Sequence, residues 1–251
     1  GPPGRGRRPR VTATPAPHPP AGSGSTVPRP HIVWDWNGTL FHDLDATIRA
    51  TNAAFAEVGL EPITLEQYRT LYRVPVPRFY ERLMGRMPTQ REWEVMDGLF
   101  HHHYKAHLTA CDLTEGVREL LHGWHAAGRS QSILSMHGHD ELVPLVRDFG
   151  IEPHFLRVDG RDGPSGGTKA EHMVRHLAAL DVHGVRPGAT VVIGDALDDA
   201  LAARDAGARA VLYTGGSHSR SSLEEAGVPV VDTLTEAVSL AERLAVDLAD
   251  F

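Results

Sequence analysis

From residue 31 onward, short apolar runs alternate with glycine, proline and acidic clusters, and their periodicity separates two kinds of segment. Ile32, Val33 and Trp34 form an apolar run that predicts a buried strand, and Gly38 frees the backbone to turn just past Asp35. Between 43 and 59 the apolar positions Leu44, Ile48, Ala53, Ala54, Phe55 and Val58 have helical spacing, closed by Gly59. Pro62, Pro75, Pro77 and Pro88 then punctuate shorter helices predicted over 64–73, 77–86 and 89–109. Nothing between 43 and 112 alternates as a strand does. This stretch reads as an all-helical insert.

From 114 the pattern changes to alternating helix and strand. Thr114 is placed to cap a helix running through Ala127. Ser130–Ser135 predicts a strand, 140–149 a helix, Phe155–Val158 a second strand and 168–180 a helix. Pro187 and Gly188 turn the chain into Ala189–Gly194, the clearest buried strand in the sequence. Helix 197–206, strand 209–213, helix 220–226, a short strand near Val228–Val231 and helix 233–247 complete the series, and Pro229 puts that last strand at a sheet edge. Repeated βα units of this length predict an α/β fold, a Rossmann-like parallel sheet covered on both faces. The expected organisation is an arm at 1–30, an α/β core at 31–43 and 113–251, and a helical cap at 44–112.

At 251 residues the chain can hold a core domain plus a smaller insert, and 41% hydrophobic residues supply a sizeable core. No apolar run approaches the roughly 20 residues of a membrane span, so no membrane partner is expected. The single Cys111 excludes an intramolecular disulfide, fits a reducing, cytoplasmic location and reads as a small buried hydrophobe. Residues 1–30 carry five arginines, no acid and nine of the 18 prolines. They cannot bury a core and read as a disordered basic arm. No apolar segment follows these arginines, so secretion through a signal peptide is not expected, and the Gly1 start reads as a processed or vector-derived end. The rest holds 20 Lys and Arg against 32 Asp and Glu, a net of −12. That acidic body argues against nucleic-acid binding by the core, and it repels anionic substrates unless a cation intervenes.

Strand 189–194 ends in Gly194-Asp195-Ala196-Leu197-Asp198-Asp199. Asp195 and Asp199 are four apart, at a strand end just before a helix, where both can face one hard divalent cation. Ser135 ends another strand, and Lys169 follows the Gly163–Thr168 loop and opens a helix. A Walker A reading fails, because Gly-Lys-Ser/Thr is absent. His101, His102 and His103 are consecutive and point about 100° apart on a helix, so they cannot converge on one ion. His172 and His176 are four apart but lack the framework of a His-Glu-x-x-His zinc site. Asp43-Leu-Asp45 opens like a calcium loop, yet Ile48 stands where Gly is needed. Trp34 and Trp36 read as packing residues.

Taken in order, Asp35-Trp-Asn-Gly-Thr-Leu40, Ser135, Lys169 and Gly194-Asp-x-x-x-Asp199 resemble the motifs of the haloacid dehalogenase-like (HAD) hydrolase superfamily. The 100 residues between Asp35 and Ser135 are similar in placement to the helical cap of its phosphoglycolate phosphatase-like branch. The resemblance implies Asp35 as nucleophile toward a small phosphorylated metabolite. Mg²⁺ would be held by Asp35, the Asn37 carbonyl, Asp195 and Asp199. Ser135 and Lys169, with Gly38 and Thr39 of the loop, would bind phosphate. In this family the cap chooses the substrate, and the helical stretch here carries no readable motif.

Asn37 departs from the family pattern, in which a second Asp protonates the leaving alcohol and then activates water. An amide does neither, though its backbone carbonyl survives as a metal ligand. Three readings stay open: a phosphatase that relies on a good leaving group or on His42 or His137, another HAD reaction such as carbon–halogen or carbon–phosphorus cleavage, or a weak catalyst that binds and regulates. Asn37→Asp is expected to raise turnover under the first.

Overall fold

The computed structural model describes residues 15, 17, 29–164 and 167–249. Most of the arm expected at 1–30 lies outside the described residues. Six parallel strands form the central sheet: β1 (His31–Trp34), β4 (Ser130–Gly138), β5 (Val158–Arg161), β6 (Thr190–Gly194), β7 (Arg209–Tyr213) and β8 (Val230–Val231). Their order is β5-β4-β1-β6-β7-β8, with His31 aligned to both Ser130 and Thr190. β1 is therefore central, which is why all four of its residues are buried.

Alternation along the strands divides the core into two layers. Ile32, Trp34, Ile133, Val191, Ile193 and Val211 face one way. They pack on α5 (Val117–Ala126), α6 (His139–Asp148) and α10 (Leu234–Ala249) through Leu121, Trp124, Leu142, Val146 and Val238. Val33, Leu134, Val192 and Leu212 face the other way. They meet α7 (Ala170–Leu180), α8 (Leu197–Asp205) and α9 (Arg220–Glu224) through Met173, Leu177, Ala203 and Leu223. Trp34 donates to Gln131 Oε1 at 3.0 Å, and Trp36 stacks on Phe41 at 5.2 Å between centroids. Both tryptophans are packing residues.

Four helices lie between β1 and β4: α1 (Leu44–Glu57), α2 (Leu65–Leu71), α3 (Pro77–Met84) and α4 (Gln90–His107). Thr64 and Thr89 open α2 and α4 with capping boxes to Gln67 and Glu92. Phe55, Tyr68, Phe79, Tyr80 and Met96 form a separate aromatic core here. A two-residue antiparallel pair, β2 (Phe41–His42) with β3 (Asp112–Leu113), brackets the helices where periodicity showed no strand. Two residues are too few to carry an alternation.

Two further boundaries and one burial differ from the sequence expectation. The strand predicted at 155–158 begins at Val158, because Glu152–His154 form a 3₁₀ turn that carries Phe155 into the core. Thr114 does not cap α5; its hydroxyl donates to the Thr39 carbonyl, and α5 starts after Gly116. Cys111 is half-buried rather than buried, packed beside Ala46, Ala50 and Tyr104. Among the described residues no helix is long and apolar enough to cross a membrane.

Candidate active site

Every predicted site residue is set at the carboxyl end of the sheet, where open α/β folds bind ligands. Asp35 follows β1, and its N–H donates to Ile193 O at 2.9 Å, extending the ladder to β6 by one residue. That bond holds Asp35 beside the end of β6, from which Asp195 projects. The turn at Gly38 has φ +74, and a Cβ there would fall on Asp195 Oδ2. Only glycine permits this approach.

Each carboxylate is oriented by donors. Asp195 Oδ1 accepts from Thr39 Oγ1 at 3.2 Å, and Oδ2 accepts from both N–H and Oγ of Ser217 at 2.9 Å. Asp199, on the first turn of α8, accepts from Ala196 N at 3.1 Å. Lys169 Nζ bridges Asp35 Oδ1 at 2.8 Å and Asp199 Oδ1 at 2.7 Å. Its backbone N–H donates to Asp198 Oδ2 at 2.9 Å, which seats the start of α7.

Ligand atoms of Asp35, Asp195 and Asp199 lie within 4.8 Å of one another. Burial pushes the Asp35 pKa up to about 7, with Asp195 adding to the rise and Lys169 opposing it. Burial, joined by the charge of Asp35, lifts Asp199 to about 6, and burial also raises Asp195. Burial works against the Lys169 charge, but Asp199 and Asp35 outweigh it and hold its pKa above the ordinary lysine range. One ammonium thus serves a group of three buried carboxylates and bonds two of them, Asp35 and Asp199. Hard oxygen donors with surplus negative charge suit a divalent ion such as Mg²⁺.

Asn37 is the hub of a second group. Its Nδ2 donates to Asp43 Oδ2 at 3.0 Å and to Tyr104 Oη at 3.1 Å, and its Oδ1 accepts from Ser135 Oγ at 3.3 Å. Tyr104 on α4 donates to Asp43 Oδ2 at 2.7 Å, and Gly38 N–H donates to Asp43 Oδ1 at 2.9 Å. Burial raises the Asp43 carboxyl pKa against these donors. The sequence offers Asp43 only as the start of a rejected calcium loop and gives Tyr104 no motif, so neither is legible there as a partner of Asn37. The Ser217 contact to Asp195 was equally silent.

Gly38 and Thr39, the loop residues that the resemblance assigns to phosphate, have their donors engaged within the protein: Gly38 N–H donates to Asp43 Oδ1 and to Phe41 O. Thr39 is fully buried, its N–H on Trp36 O and its hydroxyl on Asp195. A loop this tight satisfies its own buried donors. Ser135 is likewise fully buried, and its hydroxyl accepts from His137 N while donating to Asn37. Of the two histidines considered beside Asn37, His42 is exposed and sits in the β2–β3 pair, whereas His137 lines the cavity with Nδ1 3.5 Å from Asn37 Nδ2. His176 is committed to Asp159 and Ser132, so it does not pair with His172 on an ion.

A family model described as haloacid dehalogenase-like hydrolase matches residues 32–213. A 5'-nucleotidase of Pseudomonas aeruginosa is 25% identical over 179 residues, covering 69% of this chain and 77% of that protein. A phosphoglycolate phosphatase of Cereibacter sphaeroides is 28% identical over 191 residues, covering 74% of this chain and 86% of that one. The crystal structure of a hydrolase from Pseudomonas syringae superposes with a TM-score of 0.69 at 21% identity, covering 86% of this chain and 98% of that one. With the carboxylates of the first and last motifs gathered around one lysine, the chain belongs to the haloacid dehalogenase-like hydrolases, and its named relatives are phosphoric monoester hydrolases.

Proposed function

We propose that this hydrolase is a phosphatase acting on a small phosphorylated metabolite in the cytoplasm. The observation that carries the reading is the convergence of Asp35, Asp195 and Asp199 within 4.8 Å around Lys169, facing a cavity at the sheet's carboxyl end. Asp35 attacks phosphorus in line, the bond to the leaving alcohol breaks, and an aspartyl-phosphate forms. Water then cleaves that acyl phosphate, releasing phosphate and restoring the carboxylate. Asp35, Asp195, Asp199 and the Asn37 carbonyl would hold Mg²⁺, which supplies charge neutralisation and orientation when bound. Lys169 neutralises phosphoryl oxygens, because positioning and charge stabilisation carry most of phosphoryl transfer. Ser135 anchors the Asn37 carboxamide, and the helices α1–α4 act as the cap.

Asn37 leaves the alcohol without the usual acid, a group typically contributing about 10²–10⁴ in rate. Burial pushes His137 down to about 4, so its ring is neutral near pH 7 and a poor substitute. Efficient turnover is therefore expected with esters whose alcohol leaves readily. Phosphate release from a panel of monoesters, with Mg²⁺ and with EDTA, tests the proposal beside Asp35→Asn. The variant should lose all turnover, and full activity in it refutes the nucleophile. Retained Mg²⁺ binding without release from any ester would identify a binding protein instead.

A further inference from the structure

We infer that the alcohol half of the substrate is bulky, carries a flat aromatic body and bears no second anionic group; this deepens the phosphatase reading and rests on it. The cavity above Asp35 has a volume of about 1110 Å³. Pockets of roughly 300–1,000 Å³ hold drug-sized molecules. A two- or three-carbon phosphate would leave most of the space unfilled.

The wall supplied by the helices is aromatic. Tyr72, Trp93 and Phe100 are half-buried and line the cavity. Tyr68, Phe79 and Tyr80 are more deeply buried and line the same wall. Tyr72 stacks on Tyr68 at 4.8 Å with an interplanar angle of 16° and meets Phe79 edge-on at 5.4 Å. Tyr80 lies 5.9 Å from Trp93. Rings packed against rings make a preformed surface that loses little freedom on binding a flat group. The wall is also fixed relative to the carboxylates. Arg69 Nε donates to Gly216 O at 2.9 Å, and Tyr72 meets His218 edge-on at 5.2 Å. Both contacts reach the loop whose Ser217 holds Asp195.

The balance of charge selects against a second anion. Among the described lining residues the Lys and Arg side chains are Lys105, Arg161 and Lys169. Lys169 is tied to Asp35 and Asp199. Arg161 is spent on the Gly163 and Met136 carbonyls at 3.0 and 2.7 Å. Lys105 is exposed. Away from the reacting carboxylates stand five acids, Asp97, Asp140, Glu141, Asp148 and Asp162, of which Asp97 meets His101 at 3.1 Å and Glu141 meets His137 at 3.6 Å. A substrate carboxylate or second phosphate would meet this acidic rim, a repulsion that selects against such ligands.

The test compares uridine 5'-monophosphate, ribose 5-phosphate and 2-phosphoglycolate with Mg²⁺. The first two carry the same primary phosphate on a pentose and differ in the aromatic base. kcat/KM for the uridine ester should exceed that for ribose 5-phosphate by at least about tenfold, with 2-phosphoglycolate slowest. Tyr72→Ala and Trp93→Ala should each narrow the uridine-to-ribose ratio. A merely structural loss would lower both substrates alike and leave the ratio intact, which overturns the assignment of those rings. If the unmodified chain hydrolyses 2-phosphoglycolate or ribose 5-phosphate as well as the uridine ester, the inference is wrong while the phosphatase reading stands. If it releases phosphate from none, with Asp35→Asn equally silent, both fall together.

Discussion

Replacing Asn37 by Asp turns a donor into a carboxylate beside Asp43. The amide nitrogen lies 3.0 Å from Asp43 Oδ2, so the variant sets two carboxylates at hydrogen-bond distance in a buried place. Two unit charges at about 3 Å repel by about 5–6 kcal/mol at an effective dielectric near 20. The pair avoids this by keeping a proton. Holding one at pH 7, about three units above an ordinary carboxyl pKa, costs up to about 4 kcal/mol. Burial already raises the Asp43 pKa, which reduces that cost, so about 2–4 kcal/mol of destabilisation is expected at pH 7 and about 1 kcal/mol at pH 5. The sign follows from proton counts: the folded variant binds a proton that the unfolded chain releases above about pH 4, so the deficit grows as pH rises. Urea unfolding of both chains in metal-free buffer at pH 5 and pH 7 measures it. Exchanging the groups in Asn37→Asp/Asp43→Asn restores one amide and one carboxylate and should recover stability at both pH values. An equal deficit at the two pH values would refute the reasoning. Turnover tests the other half: the retained proton offers the leaving alcohol an acid, so Asn37→Asp should hydrolyse alkyl phosphates faster. An unchanged or lower rate means that the missing acid does not limit the reaction.

Three other perturbations follow from the same geometry. His31 is buried with its ring nitrogens on Ser130 and Ser132, and burial, then the charges of His176 and His183, push its pKa from 6.5 to about 3. The unfolded chain takes a proton below pH 6.5 that the folded one refuses, so stability present above that pH is lost as pH falls toward 3, by at most about 5 kcal/mol. Urea midpoints of the chain and its His31→Gln variant should converge between pH 7 and pH 4, and parallel curves would contradict this. Gly216→Ala places a Cβ on Asp195 Oδ2; Mg²⁺ affinity measured by calorimetry should fall by about tenfold, or about 1.4 kcal/mol, and an unaltered Kd would remove Asp195 from the metal site. Lys169→Met strips the cation from buried Asp35 and Asp199, which should cost about 3–5 kcal/mol in EDTA and less in saturating Mg²⁺; equal losses in the two buffers would argue against a shared ion.

Much of this was legible along the chain because it is local. The apolar runs at 31–34 and 189–194 mark strands buried on both faces, and Asp35 and Asp195 follow them directly. Strand period and the residues that end a strand depend on near neighbours. Helical spacing between 44 and 107 likewise announced the helices α1–α4. Where neighbours conflicted, the reading slipped: Phe155 is apolar enough for a strand, yet it serves as a core anchor after a 3₁₀ turn, three residues before β5.

The interior of the site was decided at longer range. Asp43 looked like the opening of a helix and Tyr104 like one more residue of α4, but folding brings both onto the Asn37 amide. Thr39, which the motif resemblance assigns to phosphate, gives its hydroxyl to Asp195, 156 residues away. Ser217 lies in a loop without any pattern and supplies two donors to that same carboxylate. Residue type and spacing state which chemistry a side chain can perform. Which partner spends its donors, and how deeply its charge is buried, depends on packing between segments that no local window contains.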